Sequence, residues 1–208
     1  MSTTTPQEMM SKPRKEEILD VATALFAERG YEGTSMNDVA ARVGMRKASL
    51  FYHFATKDAL YEAVLDRLIA TLGSALQAAY EGGGTFAERA DAAADTTTAV
   101  LGSHPYAARL LLRETMDWGP VMRGKLLERA TAVFEAGVAF IRAGQEAGEF
   151  VEGDAKQFVL TGLGVHFVPF ALAQYVEHVA GSSPYSEGFV AERKAAVRRQ
   201  LRDLFLRK

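Results

Sequence analysis

The 208-residue chain has no cysteine, a single tryptophan, six prolines and almost no net charge. Without cysteine it holds no disulfide scaffold, no Cys-ligated zinc finger, no iron–sulfur centre and no thiol nucleophile. With 24 Lys and Arg against 26 Asp and Glu it is no polycationic coat for nucleic acid, so any charge-driven recognition must be local. The N-terminal MSTTTPQEMMSKPRKEE carries no apolar run or small-residue cleavage site, so no secretory signal is expected. A long stretch free of Asp, Glu, Lys and Arg, Phe158–Val176, is interrupted by Thr161, His166, Pro169 and Gln174. A bilayer span needs about 20 strongly apolar residues, and a helix apolar all round is also what a buried helix looks like. No membrane is expected; the composition, 48% apolar and 24% charged, is that of a folded globular chain. It is expected to be soluble and cytoplasmic.

No segment alternates with period two for long enough to argue a strand, and no repeat of 20–50 residues is visible. Apolar residues instead recur at helical spacing, punctuated by Gly, Ser and Pro. The pattern predicts an all-α chain of about nine helices: Lys15–Glu28, a short helix ending at Gly44, roughly Arg46–His53, and a long one from Lys57 to Tyr80. Beyond Gly82–Gly84 it predicts Phe86–Leu101, Tyr106–Met116, Pro120–Ala143, Asp154–Val179 and Glu187–Leu206. Three divisions follow: a flexible arm over 1–12, a three-helix domain over 13–58, and a helical domain over 59–208.

The segment Thr34–Lys57, TSMNDVAARVGMRKASLFYHFATK, is the most informative. Two short helices joined by a Gly-containing turn form a helix-turn-helix pattern. Val39, Ala40 and Val43 can pack on Leu50 and Phe54, which places Arg46, Lys47, Ser49 and Tyr52 on or near the opposite face. Between Val39 and Lys57 stand Arg42, Arg46, Lys47 and Lys57 with no acidic residue. Such a patch at the start of a protruding helix suits phosphate attraction, and the start of that helix is where side chains reach base edges. Arg42 reads as a solvated charge, and His53 as either a packing residue or a DNA contact.

Residues Lys15–Leu65 resemble the tetracycline-repressor (TetR) family of bacterial transcriptional regulators. The resemblance rests on Leu25-Phe26, Gly30-Tyr31, Thr34-Ser35-Met36, Asp38-Val39-Ala40, Val43-Gly44-Met45, Lys47–Phe54 and Lys57-Asp58-Ala59-Leu60. It implies a homodimeric repressor with an N-terminal helix-turn-helix DNA-binding domain and a C-terminal ligand-binding and dimerisation domain. Thr34 and Ser35 would meet phosphate at the start of the first motif helix. Arg46, Lys47 and Ser49 would read the operator, and Tyr52, His53 and Lys57 would clamp its backbone. Phe51 stands where most members carry Tyr, which removes one phosphate-contacting hydroxyl.

In the second half, Asp154–Val179 is apolar on nearly every face, and Pro169 should kink it. Val190, Val197, Leu201 and Leu204 form a near-heptad stripe on the last helix. The last two helices meeting their symmetry mates would give a four-helix interface. A pocket with apolar walls and a few polar anchors would draw on His104, Tyr106, Met116, Trp118, Phe134, His166, Phe167, Phe170 and Tyr175. The chain lacks a G-x-S-x-G elbow, a G-K-[ST] loop and an H-E-x-x-H pair. His166 and His178 lie about 18 Å apart along a helix, so neither catalysis, a metal nor a cofactor is expected. The expected partners are operator DNA, a second copy of the chain and a small apolar or amphipathic effector. The rival reading is a helical protein whose N-terminal motif binds another protein.

Overall fold

The computed structural model describes residues 6–118 and 122–206, and there the chain is all-α. It forms α1 (Pro6–Arg29), α2 (Met36–Val43), α3 (Lys47–His53), α4 (Lys57–Tyr80), α5 (Phe86–Ser103) and α6 (Ala107–Asp117). A π-type turn, Met122–Leu126, leads into α7 (Leu127–Glu146), α8 (Ala155–Ala171), α9 (Ala173–Ala180) and α10 (Glu187–Phe205). Residues 1–5 of the expected arm lie outside the described residues, as does part of the break at Trp118-Gly119-Pro120; from Pro6 onward the backbone is helical.

Two compact units share α4, the first ending at Arg67 and the second running from Leu68. The division therefore lies inside α4 rather than at residue 58. The physical reason is burial: Leu60, Tyr61, Val64 and Leu65 of α4 join Ile18, Ala22, Leu25 and Phe26 of α1 in the first core. Tyr31 and Tyr61 complete an aromatic cluster around Phe26, with ring centroids 4.8–6.1 Å apart. On its rim Arg67 reaches Glu16 at 3.1 Å and Asp20 at 2.7 Å and donates to the Thr23 hydroxyl at 3.2 Å.

In the second unit α8 packs on α5, α6, α7 and α10, and α10 also lies along α5. Phe140, Ile141 and Phe150 form an aromatic-rich core with Tyr80, Phe86 and Phe158 around it. Phe150 reaches that core because Gly144 has no side chain: a Cβ there would stand 2.3 Å from the Phe150 ring. The chain end is tied back by an isolated antiparallel bridge, in which Val151 N–H donates to the Phe205 carbonyl at 2.8 Å.

Asp154–Val179 is not one helix. α8 and α9 meet at a 76° bend centred on Leu172 (φ −98°, ψ 29°), three residues beyond Pro169, which sits inside α8. No single helix among the described residues is long and apolar enough to cross a membrane; the bent pair together meets that length and composition. Proline cannot donate to the carbonyl four residues back. That carbonyl, on Val165, instead accepts from the Arg193 guanidinium of α10 at 2.5 Å.

The stripe on α10 is also used within the chain. Val197 is fully buried, Val190 sits against Gly102 of α5, and Arg198 and Arg202 pair with Asp95 and Asp91 of α5. Of the four stripe residues, Leu204 is the one left largely exposed.

Candidate functional site

The geometry of the first unit begins with the turn between α2 and α3. Ser35 caps α2: its hydroxyl accepts from Asp38 N–H at 3.2 Å, while the Asp38 carboxylate accepts from Ser35 N–H at 2.9 Å. These hydrogen bonds, from the Ser35 side chain first and its backbone second, with Arg29 nearby, hold the Asp38 carboxyl below its ordinary range. Gly44 ends α2 in the left-handed conformation (φ 73°, ψ 34°), where a Cβ is penalised. Met45 N–H donates back to the Ala40 carbonyl at 2.9 Å, the closing bond of a Schellman-type end.

The chain then enters α3 through Arg46 in an extended conformation. Leu50 and Phe54 are buried, which rolls α3 so that Lys47, Ala48, Ser49, Phe51 and Tyr52 face outward. Tyr52 is 85% exposed and lies edge-on to His53, which is half-buried. The Lys47 ammonium stands 5.7 Å from the Phe51 ring centroid. Among the described residues neither Arg46 nor Lys47 has an acidic partner, whereas Arg29 and Arg42 pair with Asp38 and Glu28. Arg46, Lys47, Ser49 and Tyr52 thus share one open, acid-free surface, to which the structure adds Ala48 and Phe51. Both followed from their helical register opposite Leu50 and Phe54.

Three expected contacts fall elsewhere. Thr34 is 1% exposed, and its hydroxyl serves the Gly30 and Leu25 carbonyls at 2.9 and 3.1 Å. It closes the α1–α2 loop. Ser35 is exposed, but its hydroxyl is engaged in the cap and also donates to Asp38 at 2.5 Å. Lys57 is turned inward: its ammonium donates to the Tyr31 carbonyl at 3.1 Å, lies 4.0 Å from the Tyr31 ring centroid, and pairs with Glu32. It pins the start of α4 to the loop.

The second unit holds a cavity of about 540 Å³ with mostly apolar walls. Of the nine residues expected there, Trp118, Phe134, His166 and Phe167 line it. The other five do not. Met116 is 77% exposed, Tyr175 is exposed and Phe170 is buried in the core. His104 is exposed and turned back on the Val100 carbonyl at 2.9 Å. Tyr106 caps α6 with φ 85°. Sequence reasoning missed Ile69, Leu72, Leu76 and Tyr80 of α4, Thr97 of α5 and Glu114 of α6. The spacing at 69, 72, 76 and 80 marks one helical face, and that signal was present in the sequence; periodicity does not tell a face on a core from a face on a cavity.

His166 is buried, with its Nδ1 3.2 Å from the Thr98 hydroxyl. Burial, and secondarily the Arg193 charge, lower its pKa to about 4, so the imidazole is neutral at pH 7. Trp118 ends α6 in the left-handed region (φ 46°, ψ 44°), and its carbonyl accepts from Arg123 at 3.1 Å.

Fold and site together define a two-unit helical protein with an N-terminal helix-turn-helix and a C-terminal cavity. Residues 18–64 match the family model described as bacterial regulatory proteins, tetR family. The biofilm operon icaADBC HTH-type negative transcriptional regulator IcaR of Staphylococcus aureus (strain Newman) is 50% identical over 48 residues. That match covers 23% of this chain and 26% of IcaR, so the chain spans about a quarter of the length of the curated relatives it matches. The ketosteroid transcriptional regulator KstR2 of Mycobacterium tuberculosis shares the fold at a TM-score of 0.76 and 19% identity, covering 94% of this chain and 96% of that one. AibR, crystallised with isovaleryl coenzyme A and operator DNA, superposes at a TM-score of 0.72 and 18% identity over 92% and 98% of the two chains. Residues 18–64 are thus those of the tetR family of bacterial regulatory proteins, and the chain as a whole shares its fold with KstR2 and AibR.

The depressed His166 pKa has a stability consequence. Above its ordinary value of 6.5 the imidazole is neutral folded and unfolded. Between 6.5 and about 4 the unfolded chain takes up a proton that the folded chain refuses, so stability falls as pH falls. Urea unfolding at pH 7 and pH 4 should show the wild type losing on the order of 3 kcal/mol more than His166→Gln. Equal losses in the two proteins would contradict the neutral, buried assignment.

Proposed function

We propose that the protein is a transcriptional repressor that binds a palindromic operator as a homodimer and is released by a small-molecule effector. The observation that carries the reading is the outward face of α3, where Arg46 and Lys47 have no acidic partner among the described residues and Tyr52 stands clear of the core. Free cations neutralise phosphates, and exposed polar and aromatic side chains at the start of such a helix reach base edges in the major groove. IcaR, by its name a negative transcriptional regulator, and AibR, bound to operator DNA, support this reading. The site binds rather than catalyses, and the protein works in the bacterial cytoplasm.

A palindrome requires two reading helices roughly 34–36 Å apart, hence a twofold dimer. The dimer is formed through α8 and α9, with the end of α10. Leu160, Gly164, Val168, Leu172, Tyr175 and Val179 recur every three or four residues and are all exposed. Exposed apolar residues gathered on two successive helices mark a protein interface. Exposed Leu204 extends it onto α10.

The cavity takes the effector. Ile69, Leu72, Leu76 and Tyr80 of α4 line it, while the earlier turns of the same helix carry Leu60 and Leu65 in the first core. A ligand that favours one position of α4 therefore biases the reading heads, by no more than its difference in affinity for the two conformers.

Two measurements test the proposal. Duplex binding should weaken steeply with salt, and Lys47→Ala should shallow the log–log slope by about 0.9; an unchanged slope removes Lys47 from the interface. Tyr175→Glu with Val179→Glu should give a folded monomer in sedimentation, and a persistent dimer would place the interface elsewhere.

A further inference from the structure

We propose that the cavity takes an extended, uncharged apolar molecule with a terminal hydrogen-bond acceptor, a carbonyl or hydroxyl oxygen, that seats on the Tyr80 hydroxyl. This rests on the cavity being the effector site.

The shape comes from α4. Ile69 and Tyr80 both line the cavity and stand eleven residues apart on one face, about 16 Å at the rise of an α-helix. Apolar side chains of α4, α7 and α8, among them Leu72, Phe134 and Phe167, line the walls. A chain or a narrow ring system of that length fits better than a compact polar metabolite.

The charge comes from the lining groups. Asp91 and Arg202 face the cavity but are spent on each other, joined at 2.9 and 3.0 Å through Arg202 Nε. Glu114 is buried and engaged within the protein. His166 is neutral and its Nδ1 is held by Thr98. The Thr97 hydroxyl donates to the Ala93 carbonyl at 2.7 Å. A charged head group would give up its hydration and find no open counter-charge among these groups, a costly exchange.

Tyr80 is different. Its ring stacks on Phe140 at 4.4 Å, which fixes its direction, and among the described residues its hydroxyl has no hydrogen-bond partner. Burial pushes its pKa up to about 12, so it stays a donor at every physiological pH. The hydroxyl is thus left available to donate to a ligand oxygen in the cavity.

Ten-carbon probes differing only in the head group test this: 2-decanone, 1-decanol, decanoate and decylamine, titrated into the full-length protein at pH 7 with Trp118 fluorescence and calorimetry as readouts. The ketone and alcohol should bind at least about tenfold tighter than the acid and the amine. Tyr80→Phe, which keeps the stack on Phe140, should weaken the ketone about five- to tenfold, the effect of one hydrogen bond, and leave the amine unchanged. Tightest binding by decanoate or decylamine, or a ketone affinity indifferent to Tyr80→Phe, overturns this inference and leaves the effector site standing. No binding by any of the four overturns both.

Discussion

The outward face of α3 depends on one local constraint, the left-handed turn at Gly44 that lets Leu50 be buried. A chain leaving α2 in any other direction would not bring Leu50 and Phe54 into the core made by α1, α2 and the start of α4. With both buried, the register of a seven-residue helix leaves no freedom: Lys47, Ser49, Phe51 and Tyr52 must face out. Thr34 and Lys57 reinforce the same arrangement from either side, one closing the α1–α2 loop and the other tying α4 to it. Two residues expected at the DNA are thus part of the frame that presents the outward face of α3.

That frame was largely legible in the sequence because its signals are local. Ser35, Gly44 and the spacing of Val39, Val43, Leu50 and Phe54 each act within a few residues, so caps and periodicity sufficed. The internal roles of Thr34 and Lys57 were not legible because their partners, the Leu25 and Tyr31 carbonyls, lie nine and 26 residues away. A hydroxyl or an ammonium looks the same in sequence whether it serves a distant carbonyl or a phosphate.

The second unit was harder to read for a related reason. An all-round apolar segment announces burial without saying against what. α8 buries Phe170 in the core, turns His166 and Phe167 to the cavity, and leaves Leu160 exposed. Pro169 predicts a kinked or locally opened helix. Arg193 supplies the Val165 carbonyl with the donor that proline lacks, and the chain bends three residues on, at Leu172. The α10 stripe has true helical spacing, yet Val190 packs against α5 and Val197 is buried within the same chain.

The central claim is that α3 reads duplex sequence as one half of a twofold pair. Selection of the full-length protein on random duplex DNA at moderate salt tests it most directly. The account predicts enrichment of an inverted repeat whose half-site centres lie about one helical turn, or a multiple of it, apart. Recovery of salt-sensitive but sequence-free binding, or of no duplex at all, would contradict it.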